Sequence, residues 1–230
     1  MNKRIILLCG LMSCCFYLLA QNRISDAGAR LSFLMKYNIN SSSFLSGRLR
    51  LLQTENFTQS RRITMDVGYW YKMGNGFRLS FHYMYRLHRM RDGFFKPLHR
   101  YYIRLDYRYP INKFFDVRNR LMLQHTTHRF VTVIDDNGFE PYYKTDLRER
   151  LGIVYNLSSK KNVYFQDEVL FSVNNEFLFW RNRIYIGYSN ELSKKWRIKL
   201  YLLFQSNFNN INGPQVNYYL IGCDWVFNWN

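Results

Sequence analysis

The sequence predicts an all-β fold, an antiparallel up-and-down transmembrane β-barrel of about 10 to 12 strands, on three observations. Apolar and polar residues alternate with a period of two from residue 27 to the end of the chain, with no competing helical run. Most of the alternating segments hold about ten or more residues, long for a soluble domain and sufficient to cross a bilayer at a tilt. The connections between them alternate between short and long, as periplasmic turns and outer loops do.

The strands expected are 27–39, 44–54, 62–72, 77–88, 98–109, 114–125, 142–157, 162–173, 180–192, 196–207 and 217–229. The first ends at "NSSS" (residue 40), where the second begins. The third and fourth show the pattern most plainly: odd positions from Ile63 to Tyr71 and from Phe77 to Leu87 are apolar or aromatic, and even positions carry Thr64, Asp66, Lys72, Arg78, Ser80, His82, Arg86 and His88, with "MGNG" (73) between them. "PINK" (110) joins the fifth and sixth, "SSKK" (158) the seventh and eighth, and "SKK" (193) the ninth and tenth. The longer connections are "RMRDGFFK" (89), "TTHRFVTVIDDNGFEP" (126) and "FNNINGPQV" (208). The last strand puts Tyr219, Ile221, Cys223, Trp225, Phe227 and Trp229 on one face. An aromatic-rich final strand resembles the insertion signal of such barrels, although Asn230 rather than an aromatic ends the chain.

The apolar positions beside the short turns are repeatedly rings: Tyr37, Tyr71, Phe77, Tyr109, Phe115, Tyr155, Trp196 and Trp229. Rings with a polar tip favour the lipid-water boundary, so these predict one belt at one height. A small soluble barrel would have to house 19 Tyr and 19 Phe inside, more volume than its interior holds. One inconsistency accompanies the count. Eleven strands are odd in number, and antiparallel closure needs an even one, so either residues 21–26 supply a stub of a twelfth strand or one segment is not a strand.

Residues 1–20 predict a signal peptide: Lys3 and Arg4 lead an apolar run from Ile5 to Leu19, and Ala20-Gln21 is a cleavage point. The run is too short for a membrane anchor. Residues 21–230 then form the barrel, in the outer membrane of a Gram-negative bacterium. Cys9, Cys14 and Cys15 fall in the leader, which leaves Cys223 without a disulfide partner. The chain carries 33 Lys plus Arg against 16 Asp plus Glu, an excess that favours anionic partners. For an exported chain the partners expected are outer-membrane lipids, including lipopolysaccharide phosphates, with a protein partner or oligomer as a further candidate. No nucleic-acid-binding signature is present.

From about residue 147 the chain resembles a family of exported proteins of Bacteroidetes-type bacteria catalogued as domain of unknown function 2490. The resemblance rests on "RERLGIVY" (148), "VYFQDEVLF" (163), "NRIYIGYSNELSKKW" (182) and Gln205, with an earlier echo in "VRNRLMLQH" (117). It implies an outer-membrane barrel with no established activity. Glu168, Asn182 and Arg183 match its recurrent polar positions.

The face opposite the lipid carries Arg48, Arg50, Arg104, Arg108, Arg118, Arg120, Arg148, Arg150, Arg183, Arg197 and Lys199, with Asp66, Asp106, Asp116, Glu168, Glu191 and Asp224 interspersed. These should point into the lumen. Two uses are open: a structural ladder of guanidinium–carboxylate bridges, or an anion pathway lined by the surplus Arg. Three polar residues break the apolar face, Asn119, Glu149 and Asp167; a β-bulge that turns them inward or a protein partner would account for them. A third function, an outer-leaflet lipid-modifying enzyme, would use an outward patch of His125, Thr145, Glu149 and Asp167, with Thr127 as a second hydroxyl. No catalytic motif, metal-ligand spacing or cofactor loop is present, and His82, His88, His99, His125 and His128 show no metal-site pattern.

Overall fold

The computed structural model describes residues 24–89, 94–127, 143–208 and 216–229. The leader, most of the three long connections, His128 and Asn230 lie outside them. The described residues form a closed barrel of eleven strands. In chain order these are β1 (Ile24–Asn38), β2 (Ser43–Thr54), β3 (Gln59–Gly74), β4 (Phe77–Arg89), β5 (Phe95–Pro110), β6 (Phe115–Thr127), β7 (Tyr143–Asn156), β8 (Lys161–Ser172), β9 (Leu178–Glu191), β10 (Trp196–Asn207) and β11 (Val216–Trp229).

Each strand pairs antiparallel with the next, and β1 and β11 close the ring in parallel, in register from Ile24 opposite Val216 to Tyr37 opposite Trp229. This corrects the antiparallel closure expected from sequence. No twelfth strand is needed and none of the eleven is spurious: with an odd number of alternating strands the first and last run the same way, so the seam must be parallel. Of the candidate stub 21–26, residues 24–26 are the start of β1 and 21–23 lie outside the described residues.

The short turns at one end share a device. At four of the five, a polar side chain accepts hydrogen bonds from the backbone N–H groups two and three residues on: Asn40 from Ser42 and Ser43, Asn112 from Phe114 and Phe115, Ser158 from Lys160 and Lys161, and Ser193 from Lys195 and Trp196. The side-chain oxygen takes the place of a backbone carbonyl and fixes a tight reversal. The fifth turn instead needs positive φ at Gly74, Asn75 and Gly76, a conformation that Gly and Asn tolerate. At the opposite end two connections are shorter than an alternating pattern implies. Glu55–Thr58 is closed by the Thr58 N–H on the Glu55 carbonyl at 3.1 Å, and β8 passes to β9 through a single 3-10 turn, Val173–Asn175.

Burial is inverted relative to a globular core. Large apolar side chains face outward around the ring, among them Leu49, Val67, Phe81, Ile103, Leu123, Leu151, Leu202 and Ile221, and all eight predicted belt aromatics are 38–55% exposed. Rings pack across strands beside the short turns, Phe115 on Tyr155 at 4.9 Å and Trp196 on the neighbouring Phe227 at 4.7 Å. The buried residues are inside and mostly polar. They include Asp66, Arg104, Asp106, Asp116, Gln124, Asp146 and Glu168. Two apolar clusters narrow the interior, Met84 with Tyr102 and Met122, and Tyr185 with Tyr201, Leu203 and Leu220.

Candidate functional site

The lumen holds a cavity of about 340 Å³ to which every strand contributes, from Arg62 and Gln205 near one end to Lys36 and Arg197 near the other. Its walls carry 15 Arg and two Lys against three carboxylates, Asp66, Asp106 and Asp224, with Asp116, Asp146 and Glu168 buried beside them. All nine ladder residues expected from sequence, Arg48, Arg50, Arg104, Arg118, Arg120, Arg148, Arg150, Glu168 and Arg183, sit on the inward face. The period of two is unbroken through each of these segments, which is why parity alone places them.

The two halves of the wall differ in how their charges are balanced. On β7, β8 and β9 the Glu168 carboxylate, 1% exposed, accepts from Arg148 at 2.7 Å, Arg150 at 2.5 Å and Arg183 at 2.8 Å. Arg150 and Glu168 are directly paired across β7 and β8, and Glu168 and Arg183 across β8 and β9, so the register itself converges the three guanidinium groups. Asp106 similarly takes Nε of Arg104 at 2.5 Å and of Arg120 at 2.8 Å. Near the short turns Asp116 faces Arg108 at 2.9 Å and Arg118 at 3.6 Å.

On β2, β3 and β4 the balance fails. Asp66 is committed to His82, whose Nδ1 lies 2.9 Å from it, and to the Tyr102 hydroxyl. Arg48, Arg50, Arg62 and Arg86 form no ion pair with any described residue, and the Nε of each is buried without a hydrogen-bond partner. Burying a charged donor unpaired costs free energy, so these four groups are the strongest mark of a ligand in the lumen.

Aromatic faces hold other cations. Arg104 lies 4.1 Å over the Trp70 ring, which stacks on Phe44. Arg30 sits over Tyr201 at 4.8 Å and donates Nε to its hydroxyl. Sequence reasoning missed Arg30, Arg62 and Arg100 as lumen residues. Each lies inside its expected strand, 27–39, 62–72 or 98–109, at the same parity as the ladder, so the signal was present in the alternation itself.

Outside, Asn119, Glu149 and Asp167 do face outward, and no bulge interrupts the register between β6 and β7 or between β7 and β8. The bulge expected from sequence is therefore absent there. Amides compensate instead: Asn119 donates to Glu149 at 3.0 Å and Asn182 to Asp167 at 2.7 Å. His125 Nδ1 lies 3.0 Å from the Thr145 hydroxyl, as the enzyme reading requires. The carboxylates do not join them. Glu149 is four residues along β7 from Thr145, about 13 Å at strand rise, and both Glu149 and Asp167 serve their asparagines. Among the described residues no three His, Cys, Asp or Glu side chains gather as a metal site.

Among curated proteins none matches the chain. A NanC porin solved in a rhombohedral crystal form is similar to it at 12% identity and a TM-score of 0.46, over 79% of this chain and 86% of that one. Residues 27–217 match the family described as protein of unknown function (DUF2490), and the chain belongs to that family.

Proposed function

We propose that this chain is an integral outer-membrane barrel of a Gram-negative bacterium whose lumen is a narrow path for small anions, delivered there by the leader at residues 1–20. The observation that carries the reading is the lumen wall, where 17 cationic side chains line the cavity against three wall carboxylates and the buried Asp116, Asp146 and Glu168 beside them. Rings of Arg and Lys lower the barrier to an anion and raise it to a cation. Membrane placement is supported by the exposed apolar face, which is far larger than the patches a soluble monomer carries and is bounded by an aromatic belt at the short-turn end.

The test is reversal potential in planar bilayers under a potassium chloride gradient. Currents that prefer chloride are expected, with the preference reduced when unpaired Arg48 is changed to Gln. Cation-selective currents would overturn the reading. A second reading, a structural barrel filled by bridged Arg, is favoured by the Glu168 cluster, where three guanidinium groups and one carboxylate block one side of the interior. Absence of any steady conductance from folded, inserted protein would select it.

A further inference from the structure

Three of the four unpaired arginines, Arg50, Arg62 and Arg86, gather in one region of the lumen, and Arg100 joins them. Arg50 of β2 and Arg86 of β4 are both paired with Thr64 of β3, so they flank it in one cross-strand row. Arg62 is two residues from Thr64 on the same face, and Arg100 of β5 is paired with Met84, two residues from Arg86. Same-face diagonal neighbours lie roughly 7–8 Å apart across a sheet, within the reach of arginine side chains that converge. Four adjacent strands thus present four guanidinium groups to one region of the loop-side half of the lumen.

No described carboxylate forms an ion pair with any of the four. Asp66 is held by His82 and Tyr102, Asp224 and Asp146 attract Arg50 and Arg100 only from a distance, Arg86 donates to the Met84 sulfur at 3.5 Å, and Arg100 uses Nε on the Thr126 hydroxyl at 2.8 Å. Across the lumen stand Arg181 and Arg183, whose charges repel Arg62. A single-site monoanion would leave most of this charge uncompensated. A tetrahedral oxyanion with two charges and several acceptor oxygens matches planar, forked donors arriving from several directions.

We propose that Arg50, Arg62, Arg86 and Arg100 form a binding site for a phosphate-class dianion, free or as a soluble monoester, in the loop-side half of the lumen. The inference rests on the anion-path reading and names its preferred cargo. Residues that hold a dianion there also retard it, so the site is a station on the path rather than a filter alone.

The test uses the folded full chain in detergent, titrated calorimetrically with inorganic phosphate at constant ionic strength. Saturable binding is expected, with chloride and acetate far weaker. Arg62→Gln with Arg86→Gln should weaken it about ten- to a hundredfold, the loss of charge-assisted hydrogen bonds. The Lys pair at the same positions should recover part of it, and Lys194→Gln in an exposed turn should change nothing. A soluble phosphate monoester should compete; phosphatidic acid in mixed micelles should not, and its competition would place the site at the lipid rim and overturn the lumen assignment. If the double variant does not fold, phenylglyoxal labelling of the wild type decides: phosphate should protect Arg62 and Arg86, and unchanged labelling overturns the site. Unaltered phosphate binding in a folded double variant would do the same. A barrel that selects chloride but ignores phosphate loses this site and keeps the path. One that binds phosphate without carrying current loses the path and keeps the site.

Discussion

Glu168 and Arg62 show how differently a charge can sit in the same lumen. Glu168 is almost fully buried and neutralises three guanidinium groups at once, so its loss leaves several buried cations facing each other. Glu168→Ala is expected to destabilise the barrel by about 3–5 kcal/mol, the usual cost of breaking a buried pair, read as a lower urea midpoint in lipid vesicles. Arg62 has no partner to lose. Arg62→Gln should leave the midpoint unchanged or raise it while phosphate binding falls. A stability gain coupled to a binding loss is the signature of a residue kept for a ligand.

At the scale of the element, the parallel seam is the least ordinary contact in the barrel. It places Leu31 opposite Cys223, both on the outer face, and Cys223 is the one thiol beyond residue 20. Leu31→Cys should therefore cross-link to Cys223 under mild oxidation, seen as loss of free thiol and a faster non-reduced gel band. Phe33→Cys, displaced by two residues, should not, because its Cα is too far along the strand for disulfide geometry. A twelfth strand between β1 and β11 would abolish the Leu31→Cys cross-link. The other edge of β1, against β2, depends on Gly28: a Cβ there would lie 2.1 Å from the Gln53 carbonyl oxygen, a backbone atom that cannot move aside. Gly28→Ala should cost the heat-modifiable folded band, whereas Gly47→Ala, which meets nothing within 4 Å, should keep it.

For the whole molecule, the proposed lipid contact makes the outer face a test of depth. Leu202, 61% exposed near the middle of β10, becomes a buried charge in hydrocarbon if changed to Arg, at a cost of about 2–4 kcal/mol. Folded yield in vesicles should drop accordingly, and recovery of the wild type as a soluble monomer without detergent would contradict the membrane placement. The amide–carboxylate pairs Asn119–Glu149 and Asn182–Asp167 lessen the same cost on the β6 to β9 sector. Replacing Asn182 with Leu removes that compensation for Asp167, and the fraction folded should fall although the substitution is apolar.

The strand segments, the inner and outer faces and the aromatic belt were legible in the sequence because all three follow from side-chain parity, a local property of extended chain, whereas the exact strand count was left open between ten and twelve. The polar turns were legible as well, since Asn40, Asn112, Ser158 and Ser193 act on their own neighbours. Closure was not. Whether β1 meets β11 directly is decided by the whole ring, and parity within a strand carries no information about which edge joins which. The same limit applied to charge. Arg148, Arg150 and Arg183 look no different in sequence from Arg48, Arg50 and Arg62, yet the first three converge on Glu168 and the others on no carboxylate, because cross-strand register sets who faces whom. Composition dictates a surplus of positive charge, and only the closed barrel decides where it is left uncompensated.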